Sequence, residues 1–162
     1  MRKILLMVVM LSSLLSASPI HWEKDLKVAI TKATKLKKPI LFISSRHTCK
    51  YCIMLERNTL SNPRIVNELN RNFITVVSYS DDGDYLPKDL WRPGTPAIWF
   101  LDSHGEPLFQ PIMGAIDSDN FTKAMVVVKK EFIQRLKEEA RYGTSAPEAS
   151  PTPTPKESNT SH

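Results

Sequence analysis

The sequence predicts an α/β domain, a central sheet of four strands flanked by helices. Three features predict it. Long segments repeat apolar residues at three- and four-residue steps with charged residues between them, the signature of amphipathic helices. Shorter runs are apolar or β-branched throughout and too short to be helices. The two kinds follow one another as helix, strand, helix, helix, strand, strand, strand, helix, within 162 residues that have room for one domain.

The first helix runs from Trp22 to Lys37, with Trp22, Leu26, Ala29, Ile30, Ala33 and Leu36 on one face, and Pro39 ends it. Ile40 to Ile43 is a strand covered on both faces, and it delivers the chain to Cys49. Ile53, Met54 and Leu55 begin a second helix. Asn62-Pro63 opens a third through Ile65, Val66 and Leu69, with Asn62 as N-cap and Pro63 in the first helical position. Phe73 to Val77 is the second strand, and residues 80 to 94 form a long polar connection. Pro96 to Leu101 is the third strand and Pro107 to Gln110 the fourth, joined as a hairpin through the turn Asp102-Ser103-His104-Gly105. Asp117 to Arg141 is a long amphipathic helix carrying Phe121, Met125, Val128, Phe132 and Leu136 inward, capped by Asp117 or Ser118.

The two ends read differently. Met1-Arg2-Lys3, the apolar run Ile4 to Leu15 and the small residues Ser16-Ala17-Ser18 make residues 1–18 a secretory signal peptide. That run is about a dozen residues, short of the ~20 needed to span a bilayer, so a soluble periplasmic or secreted protein is expected, with an uncleaved anchor as the alternative. The domain then occupies residues 19–142. Residues 143–162, rich in Pro, Ser, Thr, Glu and Lys without large apolar side chains, are expected to be a disordered tail. Within it, Glu157-Ser158-Asn159-Thr160-Ser161 resembles an acid-extended acceptor for periplasmic N-glycosylation at Asn159, a match that chance supplies as readily.

The formal net charge is +5, and loss of Arg2 and Lys3 with the leader lowers it by two. The lysines lie between apolar residues at helical spacing, as on solvated helix faces, so no nucleic-acid partner is expected. Asp81-Asp82-Gly83-Asp84 lacks the twelve-residue calcium pattern and reads as a polar turn. Trp99 and Phe100 sit in an apolar strand and read as core.

Both cysteines fall in Cys49-Lys50-Tyr51-Cys52, directly after a buried strand and at the start of a helix. There the first sulfur meets unpaired backbone N–H groups and the positive end of the helix dipole, which stabilise a thiolate. Cys49 is then the nucleophile, with a pKa below the free value of about 8.5, and Cys52, one turn inside, resolves the mixed disulfide. His47 and Lys50 are expected to strengthen the thiolate electrostatically. Thr95-Pro96, after a polar loop and before a strand, is placed for a cis peptide bond that would present the Thr95 backbone to a substrate strand, with a plain trans proline as the alternative. The residue after Cys52 is Ile53, which removes the haem-attachment signature, and zinc would need about four ligands. No cofactor and no metal are therefore expected.

These cysteines, this proline and the element order resemble the thioredoxin superfamily. Lys38-Pro39-Ile40-Leu41 before the pair, Met54-Leu55-Glu56 after it, then Asn62-Pro63, Val66, Leu69-Asn70 and Phe73 resemble the branch that includes the C-terminal domain of the periplasmic thiol:disulfide interchange reductase. The resemblance covers roughly residues 22 to 138. It implies the thioredoxin fold, with its central mixed four-stranded sheet flanked by helices. It also implies Cys49 as attacking thiol, Cys52 as resolving thiol, Pro96 as the cis proline, disulfide-bearing protein substrates and a membrane electron donor.

Three departures stand out. Lys50-Tyr51 replaces the thioredoxin dipeptide and leaves the direction of electron flow open between reductase and oxidant. The wholly apolar Ile40–Ile43 lacks the buried carboxylate found under the resolving cysteine, for which Glu56 is a substitute if it faces inward. Thr48 stands where thioredoxin has tryptophan, so Tyr51, Trp91 and Arg92 become the candidate substrate contacts, beside Thr95. Two alternatives use the same fold: a Cu(I)-binding or metal-delivery protein holding the ion with Cys49, Cys52 and His47 or Met54, and a non-catalytic binding module whose cysteines form a structural disulfide.

Overall fold

A computed structural model describes residues 19–143. The signal peptide read over residues 1–18 and the tail beyond 143, Asn159 included, lie outside the described residues; Gly143, read as the tail's first residue, is helical.

Five strands make one sheet in the order β1-β3-β2-β4-β5. These are β1 (Trp22–Glu23), β2 (Ile40–Ser45), β3 (Ile74–Tyr79), β4 (Ala97–Leu101) and β5 (Ile112–Met113). β1, β3 and β2 are parallel, while β4 runs antiparallel to β2 and to β5, so the sheet is mixed. The α-helices are α1 (Leu26–Leu36), α2 (Lys50–Met54), α3 (Pro63–Asn72) and α4 (Ser118–Gly143); α2 runs on as a π-helical segment over Leu55–Thr59, and Lys88–Leu90 is a short 3-10 turn.

The continuous apolar character of β2 has a plain cause, since both faces of the sheet are covered. Leu41 and Ile43 join Ile98 and Phe100 under α3 and α4, with Leu55, Ile65, Leu69, Phe121, Met125, Val128 and Phe132. Ile40 and Phe42 point the other way, onto Val76, Trp99 and Leu101 under α1. Ala29 and Ala33, both fully buried, let the α1 backbone approach closely. Trp99 is core as its strand implies, and its indole N–H donates to the Leu90 carbonyl at 2.9 Å.

The sheet has five strands where four were read, and two of the readings change. Trp22 belongs to β1, paired with Thr75, and α1 begins only after Asp25, whose carboxylate accepts from Val28 N–H at 2.8 Å. Pro107–Gln110 is not a ladder strand: it makes a single bridge, Leu101 to Pro107, and Leu108 N–H donates to the Phe100 carbonyl at 2.9 Å. Pro107 and Pro111 have no N–H to continue a ladder, and pairing with β4 resumes at Ile112–Met113, opposite Ile98 and Ala97. The turn itself is as read, with Asp102 Oδ1 accepting from His104 and Glu106 N–H and Gly105 at φ 94°.

Asn62 caps α3, accepting from Arg64 N–H at 3.0 Å with Pro63 at its start, and Asp117 caps α4 through Asn120 N–H at 2.9 Å. Among the described residues no helix is long and apolar enough to cross a membrane.

Candidate active site

β2 ends at Ser45, and residues Arg46 to Thr48 turn the chain into α2, with Cys49 N–H closing the turn on the Arg46 carbonyl at 3.2 Å. Cys49 is the N-cap of α2, an extended residue whose Sγ accepts from Cys52 N–H at 3.3 Å. It is half-buried, whereas Cys52 is buried. Burial pulls the Cys49 thiol up. Hydrogen bonds from the Cys52 thiol, from Thr95 and from the Cys52 and Tyr51 N–H groups outweigh it, and its pKa falls below the ordinary value. Cys52 moves the other way, raised by burial and by its bond to Cys49. The pair is thus split into an accessible thiol that ionises readily and an enclosed one that does not.

On the far side of Cys49 the Thr95–Pro96 peptide bond is cis, Pro96 is buried, and the Cys49 thiol reaches the Thr95 carbonyl at 3.3 Å. The topology brings these together. β2 and β4 are antiparallel neighbours, so the end of one lies beside the start of the other. Lys50 and Tyr51 occupy the exposed first turn of α2, and Tyr51 presents more than half its surface to solvent. Trp91 is equally exposed, though no hydrogen bond or ring contact among the described residues joins it to the cysteines. Arg92 folds back onto the core, its guanidinium 4.5 Å above the Trp99 ring and donating to the Asp89 and Trp91 carbonyls. That geometry does not present it as a substrate contact.

Glu56 is exposed rather than turned inward under Cys52, and it accepts a hydrogen bond from Tyr79 Oη at 3.1 Å. What bears on Cys52 in place of a buried carboxylate is Ser45, itself buried, whose side-chain hydrogen bond favours the Cys52 thiolate. His47 is likewise committed elsewhere. Its ring stacks on Tyr79 with centroids 4.0 Å apart and planes 12° from parallel, and its Nε2 lies 2.9 Å from Asp82 Oδ2. Hydrogen bonding to Asp82, with the charges of Asp81 and Glu56, holds His47 above the ordinary imidazole pKa. Tyr79 is pushed up to about 12 by burial first and then by the Glu56 carboxylate.

Ser45, Tyr79, Asp81 and Asp82 are the neighbours that sequence reading missed. β2 and β3 run past the apolar runs that end at Ile43 and Val77, and their last residues, Ser45 and Tyr79, are register partners. His47, Asp81 and Asp82 bring one ligand atom each within 4.8 Å of one another, so these three could hold a divalent cation, although all are exposed and already hydrogen-bonded together.

A thioredoxin-like domain family matches residues 26–129. The chain belongs to that family. Among solved structures, this thioredoxin-like domain is similar to a thioredoxin from Thermus thermophilus at 21% identity, with a TM-score of 0.58 over 68% of this chain and 88% of the other. It is also similar to the reduced C-terminal domain of DsbD from Neisseria meningitidis, at 20% identity and a TM-score of 0.51 over 65% of this chain and 93% of that one. Both likenesses speak for the fold. An uncharacterized protein of Borreliella burgdorferi is 26% identical over 142 residues, which are 83% of this chain and 61% of that protein, so the chain spans less than two thirds of this relative.

Proposed function

We propose that this thioredoxin-like domain is an exported thiol–disulfide oxidoreductase that reduces disulfides in other proteins and is itself recharged by a membrane dithiol donor. The observation that carries the reading is the split pair: Cys49 half-buried at a helix N-cap with its thiol pKa lowered, Cys52 buried with its own raised. The Cys49 thiolate attacks one sulfur of a substrate disulfide, and the other sulfur leaves as a thiolate that takes up a proton. Cys52 then gives up its proton, and its thiolate attacks Cys49 Sγ and expels the second substrate sulfur. The substrate gains two electrons and two protons, and the protein is left with a Cys49–Cys52 disulfide for the donor to reduce. Export and the reductive direction rest on the leader-like residues 1–18 and on the resemblance to the interchange reductase domain.

The test is turnover of a protein disulfide, such as that of insulin, by the domain without its leader. Cys49→Ala should abolish turnover, and Cys52→Ala should accumulate substrates as mixed disulfides on Cys49. A Cys49 variant with full activity would end the proposal. Equilibration with dithiol buffers decides direction: a potential near about −270 mV fits a reductase and one near about −120 mV an oxidant.

A further inference from the structure

The turn that delivers Cys49, residues Arg46 to Thr48, is tied to the end of β3 and the turn after it through His47. His47 N–H donates to Asp81 Oδ2 at 2.8 Å, its Nε2 meets Asp82 Oδ2 at 2.9 Å, and its ring lies flat on Tyr79. The acceptor turn is fixed in its own right, because Asp84 Oδ2 accepts from Tyr79 N–H at 2.8 Å and the Tyr79 carbonyl accepts from Asp82 and Asp84 N–H. Tyr79 is anchored twice more, by pairing with Ser45 in the sheet and by its hydroxyl on Glu56. His47 thus bridges the end of β3 to the turn between β2 and α2, and that turn closes on Cys49 N–H.

We infer that His47 is a positioning residue, and that its clasp on Asp81, Asp82 and Tyr79 holds the Arg46–Thr48 turn so that Cys49 Sγ stays within reach of the Cys52 N–H. Asp82 lies against the ring nitrogen and Asp81 against the His47 N–H, so any charge on the ring is answered locally and the ring acts on Cys49 through geometry rather than through its field. The inference rests on the redox reading only in its choice of Cys49 as the reporter.

Asp82→Ala separates the two modes of action because only a clasp predicts a clear upward shift. If His47 works as a clasp, losing its partner loosens the turn, weakens the hydrogen bonds to the Cys49 sulfur and raises the thiol pKa. If it works by charge, the variant removes a carboxylate and with it the group that favours the protonated ring, so the two charge losses offset at Cys49 and its midpoint does not rise. The readout is the pH profile of Cys49 alkylation by iodoacetamide in the reduced protein, with the site assigned by mass spectrometry. The expected result is an upward shift of the midpoint by roughly half a unit or more, a smaller shift of the same sign in Asp82→Asn, and recovery in Asp82→Glu. A midpoint unchanged or lowered in Asp82→Ala overturns the inference. Asp82 is exposed in a turn, so the variants should keep the fold, which circular dichroism checks. Alkylation needs no disulfide substrate, so a protein inactive on insulin would overturn the proposed function and leave this measurement standing.

Discussion

At Cys49 two effects oppose each other, and the outcome sets the chemistry. Partial burial disfavours a thiolate, but hydrogen bonds from the Cys52 thiol and Thr95, joined by the first N–H groups of α2, outweigh it. Cys52, three residues on, is enclosed and raised. Brief treatment of the reduced protein with iodoacetamide at about pH 7 should therefore modify Cys49 and spare Cys52, as peptide mass spectrometry would read; equal labelling of both would contradict the split. The two cysteines and Pro96 were legible because each is a residue type with a mechanical requirement, a thiol at a helix start or a ring without an N–H. Ser45 and Tyr79 were not, since they act only through neighbours that β2–β3 pairing supplies, and sequence alone does not fix that register.

Among the elements, α3 owes its start to one side chain and its placement to another. Asn62 accepts from Arg64 N–H, so Asn62→Ala should cost about 1 kcal/mol in urea unfolding. Glu68, half-buried, accepts from Lys129 of α4 and from Asn72 at 3.0 Å. Burial raises its carboxyl, but those two partners outweigh burial and leave the pKa below the ordinary carboxylate value. A depressed carboxyl adds stability above its unfolded pKa of about 4.3 and loses it as pH falls through the folded value. Glu68→Gln should then destabilise by about 0.5–1 kcal/mol near neutrality, discounted for solvent exposure, with the gap closing below about pH 4; a gap that persists in acid would rule out the ion pair as its cause. α3 could be read from Asn62-Pro63 because caps are local chemistry. The two-residue strands β1 and β5 could not, for they show no periodicity and exist only through Thr75 and β4 across the sheet.

At the scale of the whole molecule, the two thiols couple redox state to folding stability, and their opposite shifts predict a shape rather than a slope. In the unfolded reduced chain both titrate near the free value of about 8.5. Cys49 in the folded protein ionises below that. Between its folded pKa and about 8.5 the unfolded chain holds more protons, so the stability of the reduced form rises with pH, and that contribution is lost as pH falls through the folded value. Cys52 ionises above it. From about 8.5 up to its folded pKa the unfolded chain holds fewer protons, and stability declines. The oxidised protein carries neither thiol, so its other titrations cancel in the difference between the two forms. The melting temperature of the reduced form minus that of the oxidised form should therefore pass through a maximum near about pH 8.5, measured by circular dichroism across a pH series. A difference that rises or falls monotonically through this range would mean that only one thiol is shifted. In that case the division of labour between an attacking and a resolving cysteine would lose its physical basis.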